Sequence, residues 1–287
     1  MSPSLGVVIP CHNNDRGLEW ILEALTPQLC DRDEVIVVDD HSDRPPAVPH
    51  HMRRVRLASL QRGNGPGNRS GGRNEGWRTC DADIVVFLDG DMVPCPNFIA
   101  SLRHLHSEHH GAVVKPARFA LSREEQARGK AWCLRDVATE ARWFAGRAAR
   151  TRENCTRTAH WYYAASNALS VERRYVEQIG GWDEGYHGWG EEDMDFAYRL
   201  HRAGLGFVFP APEWLYAVHL DHDAADNWAE SLERNARRFV GKFPEVYEVR
   251  LPAYQACGLA FGQQRGEPAP RIRRNRALAY SRRAPRG

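Results

Sequence analysis

"IVVFLDGDM", residues 84–92, decides the fold. Five apolar residues run into Asp89, then Gly90, then Asp91. A short, continuous apolar run reads as a strand buried on both faces, as in parallel sheets covered by helices. It ends by holding two carboxylates one residue apart. Like charges that close repel, and a carboxylate beside a core is costly unless something pairs with it. Read alone, the stretch is equally a strand end followed by a turn, where Asp and Gly are common. A divalent cation would resolve the repulsion, because Mg²⁺ or Mn²⁺ takes hard oxygen ligands and can bridge a carboxylate to a diphosphate. Gly90 would let that diphosphate approach the backbone.

The flanking sequence supports the parallel-sheet reading. "LGVVIP", "EVIVVDD" and part of "MRRVRLASL" are three more short strands. Between the first two, "GLEWILEALTPQL" places Leu18, Ile21, Leu22 and Leu25 at helical spacing. "GNGPGNRSGGRNEGW" reads as a Gly-rich loop leading into a helix. Strands alternating with helices imply an α/β, doubly wound, mostly parallel sheet, whose ligands sit at the carboxyl ends of the strands. Polar residues lie at those ends: His12 and Asn13 after Pro10, Asp39 and Asp40, then Asp89, Gly90 and Asp91.

Farther along, residues 97–106 read as a helix and "AVVKPARFAL" as one strand. "YYAASNALSV" reads as a strand pair or bend. A helix over 191–203 closes at Gly204, "LGFVFP" and "WLYAVHL" are late strands, and "NWAESLERNARRFVGKF" is a helix. The arginine-rich segment 123–158 has no evident place. The expected organisation is one domain over 1–261, in two halves of about 1–100 and about 101–261. A basic, Pro-bearing tail follows over 262–287, and it reads as disordered.

Composition excludes several classes. A net charge of +2 gives no whole-chain basic field, so no nucleic-acid partner is expected. No apolar run reaches membrane-spanning length, and "MSPSLGVVIP" lacks a basic signal-peptide start. The seven cysteines form no C-x-x-C pair, which argues against a disulfide framework or structural zinc and fits a reducing cytoplasm.

Two later constellations carry chemistry. "HGWGEEDMDF" crowds Glu191, Glu192, Asp193 and Asp195 onto one helix start. Dipole complementarity, ~0.3–1 kcal/mol per acid, accounts for one or two of them. It does not account for Trp189 and the glycines ahead of them. A carboxylate beside an aromatic wall suits a general base, and the indole face suits a sugar ring. "AVHLDHD" then offers His219 and His222, where a structural role and a metal role both stand open.

"VVIPCHN", "VIVVDDHSD", "GPGNRSGGRNEGW", "VVFLDGDMVP" and "GWGEEDMDFAYRLHRAG" occur in that order. Together, over about residues 5–222, they resemble the GT-A glycosyltransferases of family 2. The last stretch is similar to the W-G-x-E-D motif of galactosyltransferase-type enzymes. The resemblance implies a Rossmann-like GT-A fold and a nucleotide-diphospho-sugar donor, UDP-linked. It also implies Mn²⁺ or Mg²⁺ as cofactor and a hydroxyl acceptor on a small molecule or glycan. Pro10, His12 and Asp39 would contact the nucleotide, Asp39 holding the uracil, with Arg73 as a further nucleotide contact. Asp89 and Asp91 would bind ribose and metal, Asp91 and His219 being metal ligands with Asp89 beside them. Gly90 and Trp189 would line the donor. Asp193 would be the base of an inverting transfer and Glu192 would orient the acceptor. The sequence departs from the pattern in Gly72 before Arg73 and in His41. Three rivals are a nucleotidyltransferase, a catalytically silent sugar-nucleotide-binding protein and a retaining transferase.

Overall fold

The computed structural model describes residues 2–49, 51–60, 68–129, 160–164, 167–211, 214–222 and 228–257. Most of the arginine-rich segment, residues 61–67 and residues 258–287 lie outside these residues.

The strands are β1 (Leu5–Cys11), β2 (Glu34–Asp39), β3 (Val55–Ser59), β4 (Ile84–Leu88), β5 (Met92–Pro94), β6 (Ala112–Val114), β7 (Ala117–Ala120), β8 (Ala168–Glu172), β9 (Gly206–Val208) and β10 (Tyr216–His219). The helices are α1 (Asp15–Leu25), α2 (Arg69–Thr79), α3 (Phe98–Glu108), the single turn α4 (Arg123–Gln126), α5 (Arg173–Gln178), α6 (Glu192–Arg202), α7 (Trp228–Lys242) and α8 (Tyr247–Ala256). Seven strands form one sheet in the order β3-β2-β1-β4-β8-β6-β9. Pairing is parallel except on either side of β8.

Alternation along the strands explains why this sheet is covered on both faces. Val7, Ile9, Val35, Val37, Ile84, Val86 and Leu88 point to one side, packing against Leu18, Ile21 and Leu22 of α1 and Ile99 and Leu102 of α3. Val8, Ile36, Val38, Val85 and Phe87 point to the other, against Trp77 of α2, Phe196 and Leu200 of α6, and Phe239 of α7. With both faces buried, only the strand ends are left for polar side chains. The order reverses between β1 and β4, the switch point at which open α/β sheets leave a crevice.

A second sheet, β5-β10-β7, sits beside this crevice. The expected single strand "AVVKPARFAL" is therefore two strands in two sheets. Lys115 still donates its backbone N–H to Val208, and Ala117 donates to Leu215. Pro116 between them has no N–H to give, and the chain changes sheet there. The Gly-rich stretch leads into a helix as expected, and that helix starts at Arg69. Asn68 caps α2 through Gly71, so Gly71 and Gly72 are helical. α5 and α8 were not anticipated from periodicity. Gly204 follows α6 with φ +90°, as expected of its C′ residue. Among the described residues, no helix is long and apolar enough to cross a membrane.

Candidate active site

The crevice begins where β1 and β4 end. Asn14 caps α1 by accepting from Gly17, and its amide nitrogen donates to the Gly90 carbonyl at 2.6 Å. This pins the Asp89–Gly90–Asp91 turn to the start of α1. A Cβ on Gly90 would sit 2.9 Å from the Pro10 carbonyl oxygen, so the turn needs glycine to lie this close to β1. Sequence reasoning missed Asn14; an Asn three residues before Gly17, directly after a strand, was its signal.

Asp39 and His12 flank the same edge. Asp39 is buried and accepts from the Ser42 backbone N–H at 3.0 Å. His12 is exposed, its Nδ1 2.8 Å from the Asp40 carbonyl. Pro10 is partly buried at the end of β1.

The second sheet brings two histidines to Asp91. β10 pairs His219 with Met92, and Leu220 donates to the Asp91 carbonyl. His219 Nε2 lies 3.2 Å from Asp91 Oδ2, and His222 Nε2 lies 2.8 Å from the same oxygen. One ligand atom from each of the three side chains falls within 4.8 Å of the others. Burial opposes the charge of Asp91, yet hydrogen bonds from His219 and His222 outweigh it and hold the carboxyl well below the usual range. Its Oδ1 is buried with no hydrogen-bond partner. A carboxylate and two imidazoles around an unsatisfied oxygen suit Mn²⁺, a borderline-hard ion that takes both ligand types. Asp89 is not in this trio. Its Oδ1 accepts from Arg73 at 2.7 Å, and the third residue grouped with Asp91 and His219 is His222.

Arg73 is 1% exposed. Expected at the nucleotide, its guanidinium is placed between two carboxylates. One nitrogen donates to Asp89, another reaches Glu192 Oε1 at 3.4 Å, and the guanidinium lies 4.5 Å over the Trp182 ring. A buried guanidinium is tolerated here because two carboxylates and an aromatic face surround it. Arg73 thus ties the Asp89–Gly90–Asp91 turn to the first turn of α6.

That turn carries the acids. Glu191 adopts a left-handed conformation, φ +70°, which a non-glycine residue holds only where the surroundings fix it. An ion pair with Arg250 and a hydrogen bond from Tyr254 fix it. Asp195 is fully buried among Tyr186, Arg199 and Lys242. Asp193 is partly buried and accepts only its neighbour's backbone N–H among the described residues. Burial, then the charges of Glu192 and Glu191, push its pKa up to about 7, against the pull of Arg250 and Arg73. Ahead of α6, Trp189 is 43% exposed and meets Trp228 edge to face. Asn235 of α7 fastens its loop by donating to the His187, Trp189 and Gly190 carbonyls.

Comparison with known proteins agrees in kind. The sequence profile described as "Glycosyl transferase family 2" matches residues 6–174, and that described as "N-terminal domain of galactosyltransferase" matches residues 147–223. The validoxylamine A glucosyltransferase of Streptomyces hygroscopicus subsp. limoneus is 27% identical over 270 residues, covering 85% of this chain and 58% of its own length. N-acetylgalactosaminyltransferase 6 of Drosophila melanogaster is 23% identical over 276 residues, covering 87% of this chain. The chain spans only 39% of that relative's length. Among solved structures, the mannosyltransferase PcManGT of Pyrobaculum calidifontis, in complex with GDP-Man and Mn²⁺, has a TM-score of 0.58 at 17% identity, covering 91% of this chain and 71% of that one. GalNAc-T7 with UDP, GalNAc and Mn²⁺ has a TM-score of 0.57 at 14% identity, covering 88% of this chain and 51% of that one. At these identities the structural likeness is one of fold.

Proposed function

The chain belongs to glycosyl transferase family 2 and has the GT-A fold, and from that premise we propose that it is a metal-dependent, inverting glycosyltransferase. It moves a sugar from a nucleotide-diphospho-sugar, UDP-linked on the strength of Asp39, to a hydroxyl of a small molecule or glycan. The observation that carries this reading is Arg73, shared between Asp89 beside the metal trio and Glu192 beside Asp193. One buried guanidinium holds the donor side and the proton-accepting side in register.

The chemistry follows from these residues. Asp193 accepts the proton of the acceptor hydroxyl as that oxygen attacks the anomeric carbon in line. Its raised pKa suits a base working near neutral pH. Glu192 gives one oxygen to Arg73, while Oε2, buried and without a partner, is left to orient the acceptor. Asp91, His219 and His222 would hold the Mn²⁺ or Mg²⁺, and Asp89 faces the ribose. When bound, the ion supplies positive charge against the departing diphosphate. Trp189 offers its exposed face to a sugar ring. No covalent intermediate is needed.

The test is to incubate the protein with UDP-sugars and candidate acceptors, with Mn²⁺ or with EDTA. Mass spectrometry should find a glycosylated product with Mn²⁺ and none with EDTA, and NMR should find an inverted anomeric centre. Full turnover in EDTA would overturn the metal dependence; a retained configuration would overturn the inversion.

A further inference from the structure

One cation beside the metal trio is left without a task by the reading above. Arg118 lies on β7, which alternates: Ala117 and Phe119 turn into the core, while Arg118 and Ala120 face outward. Register pairs Arg118 with Ala217 and Ala120 with His219 on β10. Paired residues share a face of the sheet, so Arg118 lies on the face that carries His219, one diagonal step away. Diagonal neighbours are within reach of a long side chain. The side chain is exposed and makes no hydrogen bond or ion pair among the described residues. Arg73 and Arg250, by contrast, already have their carboxylates in place. Desolvation along its stem lowers the pKa of Arg118, while Asp91 and then Asp89 oppose the shift, so the guanidinium feels both carboxylates without pairing to either.

We infer that Arg118 contacts the diphosphate of the nucleotide donor. The inference rests on the glycosyl-transfer reading, because it takes the Asp91, His219 and His222 trio as marking where a diphosphate meets the protein. A guanidinium fork matches phosphate oxygens in pairs, which a lysine cannot do. As the bond from the anomeric carbon to the phosphate oxygen breaks, its electron pair leaves with the nucleoside diphosphate, and the acceptor's proton goes to Asp193. Negative charge therefore grows on the phosphate next to Arg118, and a cation there binds the leaving group more tightly than the intact donor. An anionic group on the acceptor is the other source of the same chemistry. The diphosphate is preferred because Arg118 shares its face with His219.

Arg118→Met keeps the apolar stem and removes the fork; Arg118→Gln is the second variant should Met perturb folding. Each is titrated with UDP, GDP and uridine by calorimetry in saturating Mn²⁺, and transfer is assayed in parallel. The expected result is UDP binding about 10- to 100-fold weaker, with uridine binding unchanged and Arg118→Lys recovering part of the loss. UDP affinity within about twofold of wild type would overturn the inference, including the case where only the KM for an anionic acceptor rises. Wild-type protein that binds neither UDP nor GDP would instead overturn the glycosyl-transfer reading together with the inference.

Discussion

Four acids open the sequence of α6, and their partners separate their roles. Glu191 is held by Arg250 and Tyr254, Glu192 by Arg73, and Asp195 by Arg199 and Lys242. Asp193 has none of these cations within ion-pair distance, so its charge is not spent on the fold. Two effects compete at this residue. A first-turn position favours the anion by ~0.3–1 kcal/mol. Burial and two adjacent carboxylates favour the neutral acid, and they win, with the pKa near 7. A base must be ionised to act, so the proposed transfer should rise with pH through an inflection near 7 and level off above it. A pH profile of kcat/KM reads this directly; a rate flat from pH 5.5 to 8.5, on the order of the span His or a raised Asp would cover, would take the base away from Asp193. The acids were legible in the sequence as a cluster too dense for a helix dipole. Their sorting was not, because it depends on Arg250 and Lys242, which lie 59 and 47 residues from Glu191 and Asp195. Arg73 is the same lesson reversed: its importance was legible, and its burial between two carboxylates was not.

At the scale of elements, the position of Arg73 is set by how closely α2 lies on the sheet. A Cβ built on Gly76 would stand 2.1 Å from Val8 Cγ1 and 3.2 Å from Val38 Cγ2, both in the sheet core. α2 therefore needs glycine there, and part of the Gly-rich composition is a packing requirement of a helix. Gly76→Val should push α2 off β1 and lower stability by about 1–3 kcal/mol or more. Urea unfolding measures this; a variant as stable as wild type would show that α2 does not rest on Val8. β1, β2 and β4 were plain in the sequence because strands buried on both faces leave unbroken apolar runs. β6 and β7 were not separable, because each is short and only Pro116 marks the change of sheet. α8 was missed for want of a clear apolar period, and it carries the cation and the hydroxyl, Arg250 and Tyr254, that hold Glu191.

At the scale of the molecule, two matched regions meet at one guanidinium. The family-2 profile covers the sheet that supplies Asp39, Asp89 and Asp91, and the galactosyltransferase profile covers the loop and helix that supply Trp189, Glu192 and Asp193. Arg73 spans them, which is why the proposed function depends on both halves being folded together. The acceptor was not legible: nothing in the described residues singles out one hydroxyl compound, and most of the segment 123–158 lies outside them. The central claim is that Asp193 takes the acceptor's proton. Turnover of a UDP-sugar by Asp193→Asn, measured against wild type in Mn²⁺ with UDP-sugar affinity followed in parallel, tests it most directly. Asn keeps the shape and hydrogen bonding and removes the basicity. The account predicts a loss of about 10²–10⁴-fold in turnover with donor affinity held within a few-fold; turnover near the wild-type rate would contradict it.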